Sequence, residues 1–546
     1  MSDELKHECA VAMVVLRKPP SSGGDFGGTK LSLLLEKQHN RGQDGAGAAI
    51  LDADPEPGDE PYWISKSASS APLADVLAAI GRRNRSQEKI FLGHLRYATF
   101  GKNEEKFCHP FVHESSELAH TLLLAGNFNL TNATKLFESY RSRGEFPTSR
   151  ADGYIITELV AHELVGGKSL ADSISAALAE ADGAWTLCGM TGDGWAFATR
   201  DPHGIRPGFY YLDDDVVVVA SERPAIQAAF DVPPEAVKEL PRGEVLTVSP
   251  GGEVELVDLC AVKPPSRACV FERIYFSRAN DADIHRERKA LGAALVPQIL
   301  EAADSPIEDI FFSYIPNSAR IAFHGLLEEL FKTRPFIRFG EIAVKDAKFR
   351  TFIADAAARR EFYKHVYDVT YGLVKPERDT LAVLDDSIVR GNTMKNAILP
   401  MLDRLGPKRI IIASSAPPIR YPDCYGIDMS TLGELVAFKA LVNLLGEDAE
   451  AELRRAYASS ERNPLSRLYS AFPEEAYSKE IARLLTPPGM NAEVKVVYQS
   501  VGALHEACPG SCGDWYFTGE YPTIGGYKVL HKALSNYLDR SSERSY

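Results

Sequence analysis

The run Leu381-Ala-Val-Leu-Asp-Asp-Ser-Ile-Val-Arg-Gly-Asn-Thr393 constrains this chain more than any other feature. Four apolar residues lead into two adjacent acids, then a Ser, a Gly and a Thr, then a helix-compatible stretch over 394–402. The pattern predicts a buried parallel strand, a phosphate-cradling turn and a helix start. Open α/β sheets bind ligands at the C-terminal ends of their strands, and Asp385 and Asp386 fall there. Such a pair can hold ribose hydroxyls or a hydrated Mg²⁺. Backbone N–H groups over 387–393, with the hydroxyls of Ser387 and Thr393, can hold a phosphate. An ordinary acidic turn would need only the two acids and none of the rest.

A chain of 546 residues has room for two or more domains with proper cores. Its formal net charge of -14 argues against a nucleic-acid footprint. Residues 1–8 are short and charged, without an apolar signal region, and no stretch approaches the ~18 apolar residues of a membrane span. Eight scattered cysteines then point to free thiols in the cytoplasm rather than to a disulfide framework.

The first ~250 residues are rich in short β-like runs at 9–16, 90–94, 121–125, 185–190 and 216–220, with helical stretches at 31–38 and 152–164. Layered strands with a few helices are expected. Val262-Lys-Pro-Pro-Ser-Arg267 reads as a linker. Beyond it helices alternate with apolar strands at 309–315, 380–384 and 409–413, which implies a doubly wound parallel sheet. The last ~100 residues read as helices and a Gly/Pro/Cys-rich tail. The division is therefore a leader candidate at 1–8, a first domain at 9–262, a second at 263–450 and a tail at 451–546.

The full 381–393 string resembles the phosphoribosyl-pyrophosphate (PRPP) loop of type I phosphoribosyltransferases, in the VLVDDSIVRGTT form of the glutamine PRPP amidotransferase family. The first half carries a second set. Gln38-His-Asn-Arg-Gly-Gln-Asp-Gly-Ala-Gly47, Gly93-His-Leu-Arg-Tyr-Ala-Thr-Phe-Gly101, Gly126-Asn-Phe-Asn-Leu-Thr-Asn132 and Arg200-Asp-Pro-His-Gly-Ile-Arg-Pro207 follow the strand-opening Cys9. Together they resemble the class II glutamine amidotransferase domain, whose patterns are an initiating Cys, QHRGQEGAG, GHxRYxTxG, NGNLxN and RDPxGIRP. The resemblance implies an αββα layered Ntn-hydrolase-type sandwich followed by a phosphoribosyltransferase-type sheet.

It also implies roles. Cys9 attacks the carboxamide carbon of glutamine, with its own α-amino group as base once it is N-terminal; a thiol near pKa 8.5 needs such help. Asn127 offers its amide to the oxyanion, and Phe128, where the family has Gly, offers its backbone N–H. Arg96 binds the substrate α-carboxylate, Asp152 the α-ammonium, and Arg41, counted with them in the glutamine-binding set, braces the Cys loop. Cys9 is not residue 2, so this chemistry requires loss of residues 1–8.

For PRPP the resemblance names Asp385, Asp386, Ser387, Arg390, Gly391 and Thr393, and, in a flexible loop, Lys348 and Arg350; Lys345 lies in the same stretch with altered spacing. Ser318 in Ile315-Pro-Asn-Ser-Ala319, similar to VPDSG with Asn317 replacing Asp, joins Asp385 and Asp386 toward Mg²⁺. Cys269, in a CxFExIYF-like string, with Cys424, Cys508 and Cys512, falls at or near the family's [4Fe–4S] positions; zinc or plain packing would equally use four thiols. The tail Cys508-Pro-Gly-Ser-Cys512 departs from the CxxCFTGxYP spacing, and Cys424 stands one position late. Cys108, Cys188 and Cys260 read as structural.

The implied reaction converts glutamine, PRPP and water to 5-phosphoribosylamine, glutamate and pyrophosphate, the first step of purine biosynthesis. A homo-oligomer, dimer or tetramer, with purine nucleotide feedback inhibitors is implied too, with no nucleic acid or membrane partner. The alternatives are another class II amidotransferase, and a weakened paralogue that binds PRPP or nucleotide and regulates a partner.

Overall fold

The computed structural model describes residues 8–18, 25–52, 55, 58, 60–83, 88–98, 104–316, 318–345, 367–427, 429–541, 543 and 545. In the first half a seven-stranded and a six-stranded antiparallel sheet stack face to face. The strand Ala10–Leu16 shows how its side chains build both interfaces. Ala10, Ala12, Val14 and Leu16 pack beneath the helices Phe26–Lys37, Pro72–Ile80 and Arg223–Phe230. Val11, Met13 and Val15 point the other way and meet Leu123, Ala125, Cys188 and Met190 of the second sheet. Both faces are apolar because both are buried, which the period of two in a strand converts into a continuous apolar run.

The strand Leu122–Leu130 repeats the logic in the second sheet. Leu122, Leu124, Phe128 and Leu130 face the helices Ala133–Ser142, Asp152–Val165 and Leu170–Leu178. The layers therefore run helix, sheet, sheet, helix, as expected.

The second half holds a five-stranded parallel sheet in the order Arg338–Phe339, Ile310–Tyr314, Thr380–Asp385, Arg409–Ser414, Glu493–Tyr498. Leu381 and Val383 face one helical layer while Ala382 and Leu384 face the other, so the sheet is doubly wound. Chain order reverses between Ile310–Tyr314 and Thr380–Asp385, the two strands that carry Ser318 and Asp385 at their ends.

One expectation is corrected here. Glu493–Tyr498 pairs with Arg409–Ser414 as an edge strand, so the sheet extends past residue 450 into the segment read as a tail. Its first three residues, Glu-Val-Lys, are exposed or half-buried, which masks the apolar run that marks the central strands. The helix Ile524–Leu538 packs into the core of this half and is tied to the first half through Thr523 and Gly525, both bonded to the Asp182 carboxylate. Among the described residues no helix is long and apolar enough to cross a membrane.

Candidate active site

The register that pairs Ala10 with Leu95 brings Cys9 to the end of the strand Glu88–Arg96. The Cys9 sulfur accepts from the Tyr97 N–H at 3.2 Å and faces the Tyr97 carbonyl at 3.6 Å. Burial pushes the thiol up to about 11; the Tyr97 backbone and the Arg96 guanidinium pull it down, while Asp152 and Asp44 push it up. Cys9, Arg96 and Asp152 thus share one electrostatic neighbourhood. Asp152 starts the helix Asp152–Val165. Asp44 was not foreseen; its carboxylate accepts from the Ala98 N–H at 3.1 Å and so holds the Arg96–Tyr97 turn.

Asn127 is 3% exposed, and its Nδ2 donates to Glu8 Oε2 at 3.3 Å. The residue before it, Gly126, is gripped on both sides. Its N–H donates to His109 Nδ1 at 3.2 Å and its carbonyl meets His94 Nε2 at 3.1 Å. The two imidazoles stack with centroids 3.9 Å apart. Burial lowers the His94 pKa to about 3 and that of His109 well below the ordinary value, so both are neutral. His94 lies in the quoted Gly93–Gly101 string but carried no predicted role; His109 had no sequence signal.

Phe128 points away from Asn127, into the apolar layer against the helices, where its ring closes on Gly153. Its side chain stays out of the space beside Asn127, because neighbours in a strand face opposite sides.

Arg41, expected to brace the Cys loop among the glutamine-binding residues, is held by acids of the protein itself. Its guanidinium is fully buried and spent on carboxylates: Nε on Glu222 at 2.8 Å, Nη2 on Glu272 at 2.7 Å, Nη1 on Glu272 at 3.2 Å, and Nη1 3.5 Å from Glu8. Three acids leave no free fork for a glutamine carboxylate. Arg41 ties the Cys9 segment to the second half, since Glu272 opens that half. Asn129 makes a parallel link, donating to the Cys424 carbonyl at 2.6 Å.

In the second half, Asp385 ends its strand and Asp386 follows, 7% exposed. Burial raises the Asp385 carboxyl well above its ordinary value and the Asp386 charge adds to it; burial also raises Asp386, against hydrogen bonds from Ser318 and Ser387 and the pull of Arg288. The Ser387 hydroxyl donates to Asp386 Oδ1 at 2.8 Å. Ser318, Asp385, Asp386 and Ser387 are therefore assembled. Gly391 turns the chain at φ +79° and lies so close to Leu485 that a Cβ would clash at 2.3 Å, so only glycine fits. Thr393 follows at the N-terminal edge of the one-turn helix Met394–Ile398. Arg390 is drawn to Glu434 at 2.6 Å, so its side chain anchors the loop to the residues before the helix Val436–Leu445. Lys348, Arg350 and Asn317 lie outside the described residues, as does the Lys345 side chain.

The four cysteines do not form a ligand set. Among the described residues no group of three or more His, Cys, Asp or Glu side chains converges on one point. Cys269 Sγ faces the Tyr516 hydroxyl at 3.2 Å. Tyr516 directly precedes Phe517-Thr-Gly, where the CxxCFTGxYP pattern has its second cysteine. Asp423, one position before Cys424, accepts from Trp515 Nε1 at 3.0 Å and from the N–H groups of Tyr425 and Ile427. Cys512 is exposed while the other three are buried. A tyrosine and an aspartate thus occupy places that thiolates would need, and the residues present do not fit a [4Fe–4S] cluster.

A cavity of about 470 Å³ opens at the junction of the halves, lined by Arg200, Glu222, Arg223, Arg273, Arg278 and Ser511 among others. It contains neither Cys9 nor Asp385 and is separate from both strand-end sites.

A half-buried thiol within electrostatic reach of Arg96 and Asp152, in one chain with twin aspartates at a parallel-sheet switch point, defines a two-domain glutamine-dependent amidotransferase. Residues 97–228 match the glutamine amidotransferase domain family. The chain is 31% identical to the amidophosphoribosyltransferase of Synechocystis sp., over 68% of this chain and 72% of that one. It is 30% identical to the Pseudomonas aeruginosa amidophosphoribosyltransferase, over 74% and 79%. The glutamine PRPP amidotransferase of Bacillus subtilis, solved with ADP and GMP, superposes with a TM-score of 0.70 at 26% identity, covering 94% of this chain and 97% of that one. The chain belongs to the amidophosphoribosyltransferase family, and it is an enzyme of the first step of purine biosynthesis.

Proposed function

We propose that Cys9 is the nucleophile that takes glutamine apart and that the site around Asp385 and Asp386 receives the ammonia onto PRPP. The observation that carries this reading is the Cys9 thiol held at Tyr97 within electrostatic reach of Arg96 and Asp152, in one chain with a PRPP-type loop at the switch point. While Cys9 is acylated by Glu8, its nitrogen is an amide and its thiol, raised to about 11, stays protonated at neutral pH. Release of residues 1–8 converts that nitrogen to an amine, which can take the thiol proton. The sulfur then attacks the carboxamide carbon, the carbon–nitrogen bond breaks with a proton going to the leaving ammonia, and water hydrolyses the thioester to glutamate. Asn127 donates to the oxyanion, and the backbone N–H of Phe128 is the second donor. Arg96 and Asp152 hold the α-carboxylate and α-ammonium.

In the second half Ser318, Asp385 and Asp386 would hold Mg²⁺. Two carboxylates and a hydroxyl suit an ion that keeps several waters and shares substrate phosphates. When bound, it supplies positive charge against the leaving pyrophosphate. Ser387, Gly391 and Thr393 form the turn that cradles the 5-phosphate, and the twin acids hold the ribose hydroxyls. Purine nucleotides as feedback inhibitors complete the proposal, supported by the ADP and GMP bound in the Bacillus subtilis relative, and a dimer or tetramer is proposed with them.

The test is glutamate release from glutamine, with and without Mg–PRPP, on protein whose N-terminus has been read by intact mass. Strong stimulation by PRPP in a species that begins at Cys9 is expected. Release that ignores PRPP, or that proceeds with residues 1–8 still attached, would overturn the coupled reading.

A further inference from the structure

Glu8 is the residue that must leave before Cys9 can work, and its side chain is built into the centre of the molecule. It is 1% exposed. One carboxylate oxygen is bonded to Arg206 Nη1, and the other lies 3.3 Å from Asn127 Nδ2 and 3.5 Å from Arg41 Nη1. Donors from three separate segments thus converge on a planar, two-oxygen anion.

The three donors differ in what remains when Glu8 goes. Arg41 keeps Glu222 and Glu272. Arg206 loses its ion pair: among the described residues Glu8 is the one carboxylate in an ion pair with it, and Glu272 acts on it only at longer range. Its guanidinium is 0% exposed, and its Nε and Nη2 have no hydrogen-bond partner. Nη2 reaches across to the second half, where a Cβ on Gly426 would sit 2.6 Å away, so the glycine makes room for it. Loss of Glu8 strands a buried cation in a space just vacated by a carboxylate, and a buried charge without its partner is strongly destabilising.

We propose that Arg206, Asn127 and Arg41 form a carboxylate-binding site, filled by Glu8 while residues 1–8 are attached and by a free carboxylate anion once they are gone. Glu8 also takes the Asn127 amide that, on the function proposed above, donates to the oxyanion; the carboxylate site does not depend on that function.

The test uses full-length chains carrying Cys9→Ala, which cannot release the leader through Cys9 and require no turnover. Thermal unfolding is followed across a sodium acetate titration, against sodium chloride and sodium phosphate at matched ionic strength. The Cys9→Ala parent should respond to acetate no more than to chloride, because Glu8 fills the site. Adding Glu8→Ala should lower Tm and create a saturable stabilisation by acetate, as mass action requires of a ligand that binds only the folded state. Adding Glu8→Gln instead keeps the space filled by a neutral side chain; it should lower Tm without acetate rescue. An acetate response of Glu8→Ala no larger than that of the parent would overturn the site. Equal rescue by phosphate would overturn its carboxylate character. Either failure leaves the amidotransferase reading intact, since no step of catalysis is measured.

Discussion

Arg41 and Glu272 lie 231 residues apart in sequence and form a two-pronged buried ion pair, with Nη2 to Oε2 at 2.7 Å and Nη1 to Oε1 at 3.2 Å. The pair fastens the loop behind Cys9 to the first turn of the second half. Ser277 extends it, donating to Glu272 at 2.6 Å, and the Ser277 carbonyl accepts from Arg288, which in turn lowers the Asp386 pKa. A chain of contacts therefore runs from the Cys9 side toward Asp386.

Glu272→Ala is expected to destabilise the protein by about 3–5 kcal/mol, because it leaves the Arg41 charge short of a partner inside the protein. The exposed pair Arg454–Glu450 is the control: Arg454→Ala should cost under about 0.5 kcal/mol. Denaturant unfolding of both variants decides it. A loss for Glu272→Ala no larger than that of the control would mean the cluster does not hold the halves together.

The buried histidine stack makes stability fall in mild acid. Folded His94 and His109 are held neutral, with His94 at about 3, while the unfolded chain takes up protons as pH drops through the ordinary value of 6.5. A base whose folded pKa is depressed contributes fully above 6.5 and loses that contribution as pH falls below it. Each imidazole adds a slope of about 1.4 kcal/mol per pH unit below 6.5. Unfolding free energies measured from pH 7 to 5 should show this loss, and His94→Gln should flatten it by one imidazole's share. An unchanged slope would mean that His94 titrates normally.

Much of this architecture was legible in the sequence, and the misses have physical causes. The central strands announce themselves because both faces are buried, so Val-Val-Val-Val at 216–219 and Ile-Ile-Ile at 410–412 leave no polar interruption. The edge strand Glu493–Tyr498 does not, since one side meets solvent. The twin aspartates lie in one contiguous string, and the Cys9–Arg96–Asp152 grouping is implied by the resemblance of three separate strings to one family. The Arg41 cluster could not be read that way, because its acids come from residues 8, 222 and 272, and only the fold joins them. Arg41 carries the same charge whether it meets a substrate or a glutamate, so the string that names it does not say which.

Phe128 illustrates the same limit with the opposite sign. A bulky residue at an oxyanion position suggests a damaged site, yet strand alternation sends the ring into the helix-side core. Phe128→Gly should therefore cost about 3–5 kcal/mol of stability through the cavity it leaves. It should bring no gain in kcat for glutamine hydrolysis. A rise in kcat with unchanged stability would place the ring in the site instead.

The Cys269–Tyr516 contact predicts the metal content. Protein purified without oxygen should carry iron and acid-labile sulfide far below one cluster per chain, and Tyr516→Phe should cost about 1 kcal/mol by removing one buried hydrogen bond. Stoichiometric iron with matching sulfide would show that the cysteines gather in a way this arrangement does not.

The twin aspartates set stability against function. Asp385 and Asp386 are both raised, by burial and, for Asp385, by its neighbour's charge. A carboxyl whose folded pKa lies above its unfolded value binds more protons when folded. Stability is then lost as pH rises from the unfolded value of 3.8 through the folded one, and the full cost is carried at neutral pH. Asp386→Asn removes one of the two like charges and should raise Tm at pH 7 in the absence of Mg²⁺ and PRPP. The same change should cut ammonia-dependent synthesis from PRPP, an assay that bypasses Cys9, by about 10²-fold through loss of charge at the site. Glutaminase activity without PRPP should be untouched, since Asp386 lies in the other half. Higher Tm with lost synthesis is the signature of a strained functional pair. Lower Tm would mean that the acids are held by partners that already balance them, and the Mg²⁺ assignment would fall with that result.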